Sequence, residues 1–305
     1  MSNFFVILHC KLCTYVKLKE YFSISKYTKR KDTIMKEPLR IMFICQEIFP
    51  YLAEETPIRL LNRMLPEACQ ANGFETRTFM PKFGEINERR NQLHEVIRLS
   101  GMNIIIDDTD HPLLLKVASI QVARIQIYFI DNDDFFRRRR GVADEKGKEY
   151  SDNDERCIFF ARSAIETVKK LRWTPDIVYC SGWMSALAPL FLKKAYADTP
   201  FFTNSKIVYS LCDESFRTPF GINFAEKVKM AGVSNEDVAS IYGRRPGYNE
   251  LMKLAIDFSD AVIQSSENVN SVIKRHAMKR GIPIMPYKGE NTEDYLNFFH
   301  ELLGK

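Results

Sequence analysis

Residues 39–80 read LRIMFICQEIFPYLAEETPIRLLNRMLPEACQANGFETRTFM, and this stretch decides the fold. Ile41–Cys45 is an unbroken apolar run, which is typical of a strand buried on both faces of a parallel sheet. Thr56 as N-cap and Pro57 at the first helical position predict a helix that ends at Asn72-Gly73. Residues 74–80 predict a second strand, so the stretch forms a strand–helix–strand unit.

The same alternation continues towards the C-terminus and predicts the fold class. A helix should start at Asp152, which stands in capping-box spacing with Glu155, and reach about Leu171. Further strands are predicted at 177–180, 206–212 and 261–264, and further helices at 183–195, 248–258, 267–279 and 292–303. We therefore predict an α/β protein with a single Rossmann-like, mostly parallel sheet and helices on both faces.

A β-hairpin is predicted as an addition to this plan. Residues 94–99 and 102–107 flank the turn dipeptide Ser100-Gly101. Two more strands are predicted at 113–120 and 124–130.

Charge divides the chain into parts. The net charge is +5, and residues 1–34 contain seven basic and two acidic residues, so the remainder is neutral. A folded part without excess positive charge argues against nucleic acid as a partner. We expect residues 1–37 to be a basic, disordered extension or a mis-assigned start before Met35. Residues 38–281 should form the Rossmann-like domain, and 282–305 a C-terminal appendage with one docked helix.

The remaining composition narrows the class of protein. The apolar run at residues 4–8 is too short to span a membrane, so no membrane association is predicted. The seven cysteines stand mostly alone within apolar runs, which favours free thiols in the cytoplasm. The five histidines show no metal-ligand spacing, so no metal is predicted. No G-x-G-x-x-G follows Ile44 and no G-K-S or G-K-T occurs, so no cofactor is predicted.

Several short segments occur in the order found in one enzyme family. They are IMFICQEIFP at 41–50, TFMPKFGEIN at 78–87, IYFID at 127–131, YSDNDERCIFF at 150–160 and WTPDIVYCSGWMSALAPLF at 173–191. In this order they resemble the N-terminal half of the glycogen and starch synthases, glycosyltransferases with two Rossmann domains (GT-B architecture). The resemblance implies glucosyl transfer from ADP- or UDP-glucose to an α-1,4-glucan.

The positions that carry chemistry in that family differ here. The phosphate-binding K-x-G-G loop is replaced by Glu54-Glu55-Thr56-Pro57, and we expect the two carboxylates to occupy the helix end that a diphosphate would use. The family's H-D-W-H motif is replaced by Ser181-Gly182-Trp183-Met184, and its I-H-N motif by Leu211-Cys212-Asp213. These changes imply a degenerate site, and no catalytic residue can be assigned.

Part of the family pattern remains. Asp152, Asn153 and Arg156 match the family's D-N-x-x-R motif. Together with Trp183, they are the candidate cleft residues that the resemblance implies. The alternative is structural, with Asp152 as N-cap and the other two tying the helix to a neighbouring strand.

Chain length adds a further expectation. Only 39 residues follow Ser266, far fewer than a donor-binding domain requires. We therefore expect no activity from the chain alone, with an α-glucan and a separate donor-domain protein as possible partners. Two alternatives stay open: a non-catalytic glucan-binding or regulatory relative, and an α/β domain that binds another nucleotide.

Overall fold

A computed structural model describes residues 37–121, 123–289 and 291–304; the predictions for residues 1–36 lie outside this part. The strands are β1 (Arg40–Cys45), β2 (Glu75–Pro81), β3 (His94–Glu95), β4 (Met102–Ile106), β5 (Thr109–Ile120), β6 (Ile125–Asp131), β7 (Ile177–Ser181), β8 (Lys206–Leu211), β9 (Ala261–Gln264) and β10 (Ile284–Met285). The helices are α1 (Pro57–Ala71), α2 (Asn153–Leu171), α3 (Ala188–Lys193), α4 (Phe224–Val228), α5 (Tyr248–Asp257), α6 (Ser271–Arg280) and α7 (Thr292–Leu302).

The strands form one mixed sheet in the order β10-β9-β8-β7-β1-β2-β6-β5-β3, with β4 paired to β5. All neighbours from β10 to β6 are parallel, and the pairs that β5 makes are antiparallel. This confirms the predicted α/β class with a mostly parallel sheet. In the centre, Ile44 of β1 stands opposite Phe79 of β2 and Cys180 of β7.

The centre of the sheet is also the centre of the core. Residues 41–45 of β1 and 177–181 of β7 are fully shielded from solvent. Five cysteines are free thiols inside this core: Cys45, Cys69, Cys157, Cys180 and Cys212. Burial raises the pKa of each of these thiols, because the thiolate would lose its hydration.

A hairpin is present between β4 and β5, but the hairpin predicted around Ser100-Gly101 is wrong. Both β3 and β4 run antiparallel to β5, so they run in the same direction and the chain does not reverse between them. The Ser100 hydroxyl instead accepts a hydrogen bond from the Leu115 amide of β5 at 3.0 Å. The reversal lies between β4 and β5 at Asp107-Asp108, which have φ values of 49° and 59°. Positive φ at both central residues is what a tight type I′ turn requires.

Two of the predicted helices differ from the observed ones, one at its N-cap and one in its length. Asp152 precedes α2 without a side-chain cap, so the expected capping box does not form; its carboxylate lies 3.4 Å from the Arg139 guanidinium instead. The predicted helix 183–195 is divided into a single turn at Trp183–Ser185 and the short α3. Pro189 explains the division, because it has no N–H to continue the hydrogen bonding of the preceding turn.

The C-terminal helix α7 belongs to the compact unit that starts at Leu39. Its Tyr295, Leu296 and Phe299 side chains are buried, and the Phe299 ring meets Tyr179 of β7 edge-on with centroids 6.3 Å apart. None of the helices in the described residues is both long and apolar enough to cross a bilayer.

Candidate functional site

A crevice opens at the carboxyl ends of the central parallel strands. After β1 the chain adds strands on one side, and from β7 onward it adds them on the other, so the sheet has a topological switch point between β1 and β7. Ligands of open α/β sheets bind at such points. The cavity there has a volume of about 380 Å³ and is lined by Gln46, Glu47, Thr56, Pro57, Ile58, Val142, Gly182, Trp183, Asp213, Glu214, Ser215 and Ser266.

The floor of the crevice depends on a glycine. Gly182 has φ of 88°, and a Cβ atom at this position would lie 2.4 Å from Cβ of Gln46. The close approach lets the Gln46 side-chain oxygen accept a hydrogen bond from the Met184 amide at 3.0 Å. The Met184 side chain itself is fully buried, and Ser181 and Cys212 are buried beneath the crevice. Of the degenerate family positions after β7 and β8, Gly182 and Asp213 therefore reach the cavity, as does the retained Trp183.

Among the described residues, three carboxyl groups line the crevice, and no lysine or arginine does. Glu47 accepts a 2.8 Å hydrogen bond from the Arg59 guanidinium on α1. Oε1 of Glu214 is shielded from solvent and has no hydrogen-bond partner among the described residues. Burial and the nearby Glu47 raise the pKa of the Glu214 carboxyl to about 8, against a smaller opposing effect of the Trp183 amide. The crevice is acidic, and burial favours the protonated form of one of its acids.

The start of α1 offers little to a phosphate group. The Thr56 hydroxyl accepts a hydrogen bond from the Arg59 amide at 3.3 Å, and Pro57 has no N–H. The expectation that Glu54 and Glu55 occupy this helix end is wrong, because Thr56 is the cap and the Glu54 side chain is 79% exposed, 3.9 Å from Arg59. Glu55 faces a second, neighbouring cavity. A helix end that is capped by a side chain and begins with proline offers few donors to an anion.

Trp183 lies at the edge of the crevice with 2% of its surface exposed. Its ring packs against Phe216 and Phe220, with centroids 5.1 and 6.0 Å away. Both phenylalanines belong to the long segment after β8, so the tryptophan anchors this segment against the crevice.

Asp152, Asn153 and Arg156 do not line the crevice. The Arg156 guanidinium donates to Oδ1 of Asn153 at 2.6 Å and to the Gly141 carbonyl at 2.7 Å. Nδ2 of Asn153 donates to the carbonyl of Val142 at 2.9 Å. Because Val142 lines the crevice, these residues hold one of its walls in place.

Sequence reasoning did not identify Gln46, Glu47, Glu214, Ser215 and Ser266 as site residues. Each follows a parallel strand by one to four positions, and the carboxyl ends of these strands share one edge of the sheet. Position after a predicted parallel strand was the signal that could have found them. Among the described residues, no cluster of three or more histidine, cysteine or acidic side chains could hold a metal ion.

Comparison with known proteins shows the family. A profile of the starch synthase catalytic domain matches residues 40–284. A glycogen synthase of Chlorobium limicola is 34% identical over 173 residues, which are 56% of this chain and 35% of the relative. The glycogen synthase of Pelodictyon phaeoclathratiforme is 33% identical over the same shares. The chain thus spans about a third of the length of these relatives.

A solved structure supports the fold assignment. The catalytic domain of Starch Synthase IV from Arabidopsis thaliana, bound to ADP and acarbose, matches with a TM-score of 0.64 at 16% identity, covering 83% of this chain and 52% of that one. Since the profile extends over most of the chain and the sheet has the matching architecture, the protein belongs to the starch synthase catalytic domain family.

Proposed function

We propose that the crevice binds a neutral saccharide, the end of an α-1,4-glucan, and that this chain alone does not transfer glucose from a sugar nucleotide. The observation that supports the proposal is the lining itself, to which the described part of the chain contributes three carboxyl groups and no lysine or arginine. Carboxylates accept hydrogen bonds from sugar hydroxyls and repel a diphosphate. At about 4 Å, two like charges cost roughly 1 to 4 kcal/mol in water or near a protein surface.

Glucosyl transfer makes a further demand that this crevice does not meet. The departing nucleoside diphosphate needs donors or cations aimed at its developing charge, and such electrostatic stabilisation is usually the largest contribution to catalysis. Arg59, the cation of the first turn of α1, is already paired with Glu47. The pairing of this arginine with Glu47 favours a glucan-binding relative over a nucleotide-binding domain. We also place the protein in the cytoplasm, since free buried thiols suit a reducing compartment.

Calorimetry on the purified chain tests the proposal. We expect maltoheptaose to bind and ADP-glucose and ADP not to bind at millimolar concentration. The Asp213→Ala variant removes one lining carboxylate and should weaken maltoheptaose binding about tenfold, equivalent to 1.4 kcal/mol. Asp198→Ala, an exposed acid remote from the crevice lining, is the matched control and should bind as the wild type does.

A transfer assay tests the second half of the proposal. Radiolabelled ADP-glucose and glycogen are incubated with the pure chain and with the chain plus lysate of its native cell. Glucan growth by the pure chain above a boiled sample, or micromolar ADP-glucose binding, would contradict the proposal. Growth only with lysate would indicate that another protein supplies the donor half.

A further inference from the structure

Glu214 has an unusual position among the crevice residues. It follows β8 by three positions, and its Oε1 atom is shielded from solvent without a hydrogen-bond partner in the described part of the chain. Buried carboxyl oxygens are normally satisfied, so this atom calls for a partner. The cavity that the residue lines is where a partner can approach.

The groups around Glu214 are acidic or neutral. Glu47 faces it from the segment after β1, Tyr209 comes from β8 and Cys212 from the position after β8, Tyr248 comes from α5, and the Trp183 amide from the segment after β7. Glu47 has Arg59 as its counter-ion, whereas no lysine, arginine or histidine in the described residues forms an ion pair with Glu214. Burial without a counter-ion therefore favours the protonated form of Glu214.

We infer that Glu214 is a specificity-determining residue of the crevice, a neutral carboxylic acid that donates a hydrogen bond to an oxygen atom of the bound saccharide. The inference rests on the saccharide-binding function proposed above. Glu47 and Asp213 accept hydrogen bonds from ligand hydroxyls, and a protonated Glu214 adds a donor beside them. A sugar, whose oxygens both donate and accept, matches this combination.

The inference gives the pH dependence of binding a definite sign. The pKa of Glu214 is about 8 in the free protein. A ligand that closes over the carboxyl and accepts its proton favours the neutral form, so the pKa rises further in the complex. By linkage, the ligand binds the protonated protein more tightly, and affinity is lost as the pH rises above 8.

Maltoheptaose titrations of the whole chain at pH 6.5, 8.0 and 9.5 test this role. We expect the wild-type affinity to fall about tenfold between pH 6.5 and 9.5, since the donor becomes a carboxylate. Glu214→Gln keeps a neutral donor of the same shape and should bind equally well at all three values. Glu214→Ala has no donor and should bind weakly and without pH dependence. Glu236→Gln, an exposed acid of the same long segment, is the control and should follow the wild type.

The outcomes separate the two proposals. A wild-type affinity that does not change with pH, or a Glu214→Gln variant that shows the same fall, overturns the role of Glu214 and leaves saccharide binding intact. Absence of maltoheptaose binding by the wild type at every pH overturns both. Thermal melting of each variant at each pH verifies that the protein measured is folded.

Discussion

Arg156 is the largest fully buried side chain of the part of the molecule that the structure describes. Its guanidinium lies over the rings of Phe136, Tyr150 and Phe83, with 5.3 to 5.8 Å to their centroids. Burial lowers its pKa to about 10, yet the group stays charged at neutral pH. The aromatic faces and two oxygen acceptors replace the carboxylate partner that a buried arginine usually has.

We predict that Arg156→Ala destabilises the fold by about 3 kcal/mol, because it leaves two buried oxygen acceptors without a donor and opens a cavity between three rings. Urea unfolding followed by circular dichroism measures the change. Arg138→Ala is the control, since that side chain is 75% exposed and should change stability by less than about 0.5 kcal/mol. Equal midpoints for the two variants would show that Arg156 is not needed for the fold.

Glu88 is one of the acidic members of a charge network that includes two buried lysines. Its Oε1 lies 2.7 Å from Nζ of Lys116 and 2.8 Å from Nζ of Lys82. Partial burial acts to raise the pKa of Glu88, but the hydrogen bonds from Lys116 and Lys82 outweigh it and lower the pKa to about 2. The folded state thus binds the proton of this group less readily than the unfolded chain.

A depressed carboxyl pKa contributes stability above the ordinary value near 4.5 and loses it as the pH falls towards 2. We therefore predict that Glu88→Gln lowers the melting temperature at pH 7 and flattens its decline between pH 4.5 and 2. Glu95→Gln, an exposed acid, serves as the control. A Glu88→Gln protein whose melting temperature falls with acid as steeply as that of the wild type would exclude this role.

At the scale of single elements, the continuous apolar strands were predictable and the hairpin was not. The strand predicted at 261–264 coincides with β9, because this buried strand is apolar over most of its length. The turn was misplaced because Ser-Gly is a common turn dipeptide, whereas Asp107-Asp108 adopts positive φ without a glycine. Pairing of β3 and β4 along the 12-residue β5 decided the outcome, and this pairing is not visible in the local sequence.

The helix α7 packs against the core through Phe299. We expect Phe299→Ala to cost about 3 to 5 kcal/mol, because Phe299 is fully shielded from solvent and packs against Tyr179 in the core. Asn297→Ala, exposed on the same helix, should be neutral within about 0.5 kcal/mol. Urea midpoints of both variants decide whether α7 is part of the cooperative unit. If limited proteolysis removes α7 without loss of stability, α7 is not part of the cooperative unit.

For the whole molecule, the family and fold class could be predicted from the sequence, and the crevice only in part. The resemblance directed attention to Ser181–Met184 and Cys212–Asp213, and Gly182, Trp183 and Asp213 do line the crevice. Glu47 and Glu214 could not be paired from the sequence, because they are 167 positions apart and meet only through the strand order of the sheet. The D-N-x-x-R motif was recognised in the sequence. The burial of its arginine depends on tertiary packing, which the spacing of the motif residues does not reveal.

The net positive charge is concentrated at the N-terminal end of the sequence. Residues 1–34 hold the +5 excess, and the remainder is neutral. We predict that a chain starting at Met35 has an unchanged melting temperature and is no longer retained on a cation exchanger at pH 7. A fall of several degrees would show that the removed residues contribute to stability.

The buried thiols of the sheet have a consequence for experiments on folding. In the chain starting at Met35, the only sulfhydryl groups are the five that lie inside the core. A disulfide reagent can modify them only during an opening of the structure, because attack requires an accessible thiolate. The labelling rate therefore reports how often the native protein opens, and Cys45 and Cys180 on adjacent central strands report whether those strands open together. The protein thus carries natural probes of its own opening, without any engineered cysteine.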